Sequence, residues 1–234
     1  MRLLVYGMQS SGATAFTLFL AQRPDCLALV DILNNYAAPR VDTELDMVVK
    51  AVVTTAYPLE VHRERFRPDR TVLLLRDPRD TYRSLSAKPY RNHSGLIDEK
   101  FALIDEVFAG REERFDAVVH YEDFIARDPV VPAAMTTLGW PVDDGFYDYR
   151  RRHDELAGAL WRHVPDLMER VEFAFGNVQG RGVSERFRHK PQDPDLEVQA
   201  LEVQALEAKL ETLCPRLLAH YRERAAAQTA PLAL

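Results

Sequence analysis

Apolar positions along the chain fall into two kinds of run. Short, nearly unbroken runs at residues 2–6, 27–30, 47–53, 71–75 and 117–120 are rich in Val and Leu, which predicts strands buried on both faces. Between them, positions of helical period predict helices near residues 12–22, 78–87, 96–108 and 129–138. Strands and helices that alternate this way build βαβ units. The chain therefore reads as α/β, a three-layer fold with a central, mainly parallel sheet flanked by helices. From about Asp143 the strand signal stops and helical patterns run on to roughly Arg224, interrupted by a Gly-, Arg- and Pro-bearing stretch at 176–194. LEVQA occurs twice in residues 196–205, too short for a repeat architecture. Leu196, Leu201, Val203, Leu206 and Leu210 instead mark one face of an amphipathic helix. No linker composition divides the chain, so residues 1–224 are expected as one domain with a helical C-terminal part, and 225–234 as a frayed tail.

Composition narrows the class of function. The 234 residues hold 30 Lys and Arg against 36 Asp and Glu, a net charge of −6, so a nucleic-acid partner is not expected. An anionic ligand would need locally placed donors. Cys26 and Cys214 form no paired or CxxC pattern and the seven His lack metal-ligand spacing, so neither a disulfide framework nor a metal is expected. Gly7 to Gly12 interrupt the N-terminal apolar run, which argues against a leader or a membrane span. A soluble, cytoplasmic protein is the expectation.

The strongest local motif is strand–GMQSSGAT–helix at Gly7–Thr14. A glycine-rich turn entering a helix aims successive backbone N–H groups at a phosphate, and the helix dipole adds about half a positive charge. Ser10, Ser11 and Thr14 add hydroxyls. An ATPase or GTPase loop would carry Lys where Ala13 stands. A second anion-binding pattern lies in TVLLLRDPRDTYRSL: Arg76 at the carboxyl edge of a strand, Asp77 and Pro78 opening a helix, and Ser84 eight residues after the arginine. The plainer reading pairs Arg76 with Asp77 or Asp80.

Together these segments resemble the nucleotide-dependent sulfotransferases, in particular the prokaryotic and tyrosylprotein branch of that P-loop-like fold. Ser11-Gly12-Ala13-Thr14 is similar to the SGTT part of the family's phosphosulfate loop, and the family's loop cation falls on Ser10. Arg76 and Ser84 match its 3′-phosphate motif. Lys50 stands where the family has the lysine of its KTH segment, with Val52 in place of the histidine. Tyr121-Glu122-Asp123 is similar to its YED segment, whose tyrosine approaches the adenine. Arg186 and Arg188 lie in a loop like the one that brings arginine to the 3′-phosphate.

The resemblance implies a sulfotransferase that uses 3′-phosphoadenosine 5′-phosphosulfate (PAPS), releases 3′-phosphoadenosine 5′-phosphate (PAP) and needs no metal. It implies cofactor contacts from Gln9, Ser10, Ser11, Gly12, Ala13, Thr14, Arg76, Ser84, Tyr121, Arg186 and Arg188, with Lys50, Ser10 and Asp31 as the catalytic set. Asp31 follows a strand and falls near the family's glutamate base; the plainer reading makes it a helix cap. His62 is the weaker base candidate, read as a surface residue among Arg63, Glu64 and Arg65. The acceptor would be a hydroxyl of a small molecule, lipid or sugar, its pocket shaped by residues 34–46 and 88–100, where Tyr36, Tyr90, His93 and Phe101 either line the site or pack. Arg150–His153 reads as a solvated helix face, with an anionic acceptor as the alternative. The rival functions are a P-loop kinase using ATP and a catalytically inactive nucleotide-binding homologue.

Overall fold

The computed structural model describes residues 1–30, 37–87, 94–170 and 196–229. Five strands, β1 (Arg2–Gly7), β2 (Cys26–Leu29), β3 (Asp46–Val52), β4 (Arg70–Leu75) and β5 (Ala117–His120), form one sheet in the order β2-β3-β1-β4-β5, with every pair parallel. All five coincide with the apolar runs of the sequence. The chain leaves β1 toward one edge of the sheet and returns for β4 on the other side. The carboxyl ends of β3, β1 and β4 therefore lie together at the point where the winding reverses, where open α/β sheets hold their ligands.

Side chains alternate across the sheet with period two, so the strands feed two cores. Leu4, Tyr6, Met47, Val49, Leu73 and Leu75 face one layer. It is built on α4 (Ile97–Ala109), α10 (Leu196–Leu213) and α11 (Pro215–Thr229). Leu3, Val5, Val48, Val72 and Leu74 face the other, which contains α1 (Ala13–Leu20), α6 (Tyr121–Ile125) and α7 (Val130–Thr137). Lys50 shares the parity of Val48 and so belongs to the α1 side.

The four helices expected before residue 143 are present, one of them being α3 (Pro78–Ser86), which Asp77 caps by accepting from Arg79 N at 2.8 Å. Further helices are α2 (Leu59–Phe66), α5 (Arg111–Arg114), α8 (His153–His163) and α9 (Pro165–Arg170). The last helix continues to Thr229, past the point where fraying is expected, because Leu217, Leu218 and Tyr221 anchor it in the core. Among the described residues no helix is long and apolar enough to cross a membrane.

Candidate functional site at the carboxyl edge of the sheet

The β1–α1 loop is held by close contacts that admit little besides its own residues. A Cβ on Gly7 would lie 2.6 Å from Leu74 O, so β1 meets β4 only with glycine there. Gly12 caps α1 at φ 88, and a Cβ on it would lie 2.3 Å from the Tyr121 ring. Ser10 is also left-handed, at φ 64. Met8 O accepts from both Ser11 N (3.2 Å) and Ser11 Oγ (2.7 Å). The sequence reading turns that hydroxyl toward a phosphate; here it closes the loop. Among the described residues no side chain caps the first turn of α1, whose leading N–H groups have no partner within the helix itself.

Two cations reach this turn from neighbouring strands. Lys50, only 4% exposed, donates from Nζ to Thr14 Oγ1 at 3.0 Å. Arg76, just beyond β4, donates from Nη1 to Ser10 O at 2.9 Å and lays its guanidinium 4.7 Å from the centre of the Tyr121 ring. Its Nη2 stands 3.8 Å from the half-exposed Asp80. Asp77, the other expected partner, is taken by Arg79 at 3.0 Å. Arg76 Nε is buried and reaches no hydrogen-bond partner among the described residues. Gly12, Tyr121 and Arg76 are thus stacked in sequence, and the arginine is aimed by the ring beneath it. A loop without cations of its own is flanked by a lysine on one side and an arginine on the other. That arrangement suits an extended anion carrying more than one phosphate-like group.

Two solved sulfotransferases share similarity with this chain. The mouse sulfotransferase SULT7A1, solved as a complex with PAP, is 12% identical with a TM-score of 0.48, covering 90% of this chain and 84% of its own. The sulfotransferase of Alicyclobacillus acidocaldarius is 16% identical with a TM-score of 0.40, covering 94% and 98%. No protein-family model and no curated protein matches the chain.

The remaining candidates divide. Ala13 opens α1 and is buried; Ser84 is half-buried two turns along α3. Gln9, 3% exposed, donates to Ser94 Oγ at 3.1 Å and accepts from Lys100 at 2.8 Å, so its side chain is engaged behind the loop. Asp31, Arg186 and Arg188 lie outside the described residues, as do Tyr36, Tyr90 and His93. Phe101 packs: it is fully buried beside Tyr82.

His62 is not a surface residue. It is 3% exposed, and its Nδ1 accepts from Ala38 N at 2.9 Å. Burial pushes its pKa down to about 4. A neutral ring that accepts at Nδ1 carries its proton on Nε2, which leaves no lone pair for a base. In the basic run at 150–153, Arg150 and Arg152 are exposed as expected, and Arg151 departs. Arg151 donates to the carbonyls of Ala21 (2.8 Å), Arg23 (2.6 Å) and Cys26 (3.0 Å), stapling the α1–β2 turn.

Sequence reasoning missed Lys100, whose signal was a lysine inside the apolar stripe Ile97–Phe101–Ile104–Phe108. It also missed how Glu122 and Asp123 work. Glu122 accepts from Asp77 N (2.9 Å) and from the Tyr221 hydroxyl (3.2 Å), and Asp123 accepts from Arg224 (2.7 Å).

Proposed function

We propose that this chain is a sulfotransferase that moves a sulfuryl group from PAPS to a hydroxyl of a small-molecule, lipid or sugar acceptor. The observation that carries the reading is the pair of cations from different strands, Lys50 on Thr14 and Arg76 on Ser10, closing on an uncapped helix N-terminus. The buried Nε of Arg76, without a partner among the described residues, is the donor that an additional phosphate would satisfy.

In this reading the amides of Gly12, Ala13 and Thr14 bind the 5′-phosphosulfate, and Ser10 contributes its hydroxyl. Gln9 and Ser11 set the curvature of the loop. Arg76 and Ser84, joined by Arg186 and Arg188, hold the 3′-phosphate that ATP lacks, and Tyr121 supports Arg76 where the nucleotide lies. In the chemical step the acceptor oxygen forms a bond to sulfur while the bond from sulfur to the bridging oxygen breaks. The hydroxyl proton passes to Asp31. The charge left on the 5′-phosphate is met by Lys50 and the loop amides, the electrostatic contribution on which such transfers mainly rest.

The test is thermal shift and calorimetry with PAP against ADP, ATP and AMP, followed by transfer of labelled sulfuryl to an acceptor panel. The expected result is stabilisation by PAP above the others, with binding weakened at least tenfold in Arg76→Ala, as for loss of a charge-assisted contact. Equal or better stabilisation by ATP would sink the assignment in favour of a kinase. PAP binding without transfer to any acceptor would leave a nucleotide-binding homologue. Asp31→Asn should abolish transfer and spare PAP binding.

A further inference from the structure

Behind the phosphate loop, α4 carries Lys100, whose side chain is fully buried. Its ammonium donates to Gln9 Oε1 at 2.8 Å and to Ser94 Oγ at 2.9 Å, while Gln9 Nε2 donates to the same serine oxygen at 3.1 Å. Gln9 is 3% and Ser94 5% exposed, so the triangle is shut off from water. Its corners come from separate segments: the loop, α4, and the turn that leads into α4. That turn leans on the exit of β3. Thr55 N donates to Ser94 O at 3.4 Å, and Gly95, at φ 110, approaches so closely that a Cβ would lie 2.6 Å from Thr55 Cγ2.

Packing alone does not call for a lysine at this position. Lys100 lies beside Phe101 and Ile104 in the core-facing stripe of α4, where a methionine would fill similar volume without desolvating an ammonium. The lysine instead supplies a fixed donor and a positive charge at Gln9. The next residue is Ser10, left-handed at φ 64, whose carbonyl holds Arg76. A shift of Gln9 therefore moves both the bend that aims the α1 amides and the anchor of the arginine. The loop GMQSSGAT contains no Lys or Arg.

We propose that Lys100 is a positioning residue for the donor-binding loop. Acting through Gln9, it fixes the bend at Ser10 and places behind the loop a positive charge that the loop sequence lacks. Lys50 acts from the β3 side, Lys100 from the α4 side. The proposal rests on the sulfuryl-donor reading above.

The experiment measures PAP affinity by calorimetry for the wild-type chain, Lys100→Met, Gln9→Met and the double variant, together with kcat and KM for PAPS. Each single substitution is expected to weaken PAP about tenfold and to act on KM more than on kcat. The double should be no weaker than the worse single, because both cut one link. The melting temperature of Lys100→Met should fall, since Gln9 Oε1 loses its buried donor, and the affinity is therefore read well below it. Wild-type PAP binding that Lys100→Met keeps within about twofold would overturn the role of Lys100 while leaving the donor reading intact. Losses that multiply in the double variant would overturn the route through Gln9. A wild-type chain that binds no PAP overturns the donor reading and this inference with it. If Lys100→Met fails to fold, Gln9→Met alone decides: unchanged affinity rejects the brace, and a tenfold loss supports it.

Discussion

The molecule gathers charged and polar side chains in two places, at the ends of β1, β3 and β4 and at the end of β5, and the two are built to opposite rules. At β5 the polar groups close on one another. Glu122 takes Asp77 N and the Tyr221 hydroxyl, Asp123 takes Arg224, and His120 Nε2 meets His220 Nε2 at 2.8 Å. The result is a clasp between α6 and α11. At β1, β3 and β4 the excess is positive and both cations reach the same loop, where among the described residues the helix start has no side-chain cap and Arg76 Nε no partner. A network that satisfies itself reads as architecture; one that leaves donors converging reads as a binding site. The YED segment belongs to both, since Tyr121 supports Arg76 while Glu122 and Asp123 hold the last helix.

The largest expected effect tests whether Lys50 belongs to the converging class. Lys50→Met should lower kcat by about 10²–10³, the loss seen when one charge-stabilising donor is removed, or roughly 3–4 kcal/mol of transition-state stabilisation. PAP affinity should fall much less. If kcat stays within about threefold, Lys50 is a core lysine like any other and the contrast between the regions collapses.

Much of this was legible in the sequence, for reasons that can be named. Buried parallel strands have no polar face, so all five stood out as continuous apolar runs. Gly7 and Gly12 marked a turn because both positions exclude a Cβ, and Arg76 stood out as a cation just past a strand. What the sequence hid depends on contacts over long separations. Lys100 meets Gln9 across 91 positions, Arg151 meets Cys26 across 125, and Tyr221 meets Glu122 across 99. His62 was misjudged because its charged neighbours Arg63, Glu64 and Arg65 suggested a surface, whereas α2 turns its 59–62–66 stripe inward.

A middle-sized effect comes from acid. Burial, with Arg224 adding to it, pushes the pKa of His120 down to about 3, and burial holds His62 at about 4. His220 is also lowered. Both buried histidines sit below their ordinary value near 6.5, so the unfolded chain binds protons first. Their contribution to stability is whole above about pH 6.5 and is lost as the pH falls toward the folded values, at about 1.4 kcal/mol per pH unit for each. Glu122 runs the other way, its carboxyl raised by burial. Unfolding free energy measured between pH 6 and 5 should therefore fall with the pH, and His120→Gln should reduce that slope by about one proton. A slope that His120→Gln leaves unchanged would mean the clasp does not titrate as a closed network.

The smallest effect draws the boundary between the two regions. Tyr221 donates to Glu122 Oε2 at 3.2 Å, and burial beside that carboxylate raises its hydroxyl pKa. Tyr221→Phe keeps the ring against His120 and removes only the hydroxyl. It should cost about 1.5–3 kcal/mol, the range for a hydrogen bond to a charged acceptor, and lower the melting temperature by about 2–4 °C per kcal/mol. Glu122 still accepts from Asp77 N, which holds the residue after Arg76 in place. PAP affinity should therefore stay within about twofold of wild type, a change under 0.5 kcal/mol. A larger loss of affinity would show that the last helix sets the position of Arg76, and the clasp would then have to be counted as part of the site.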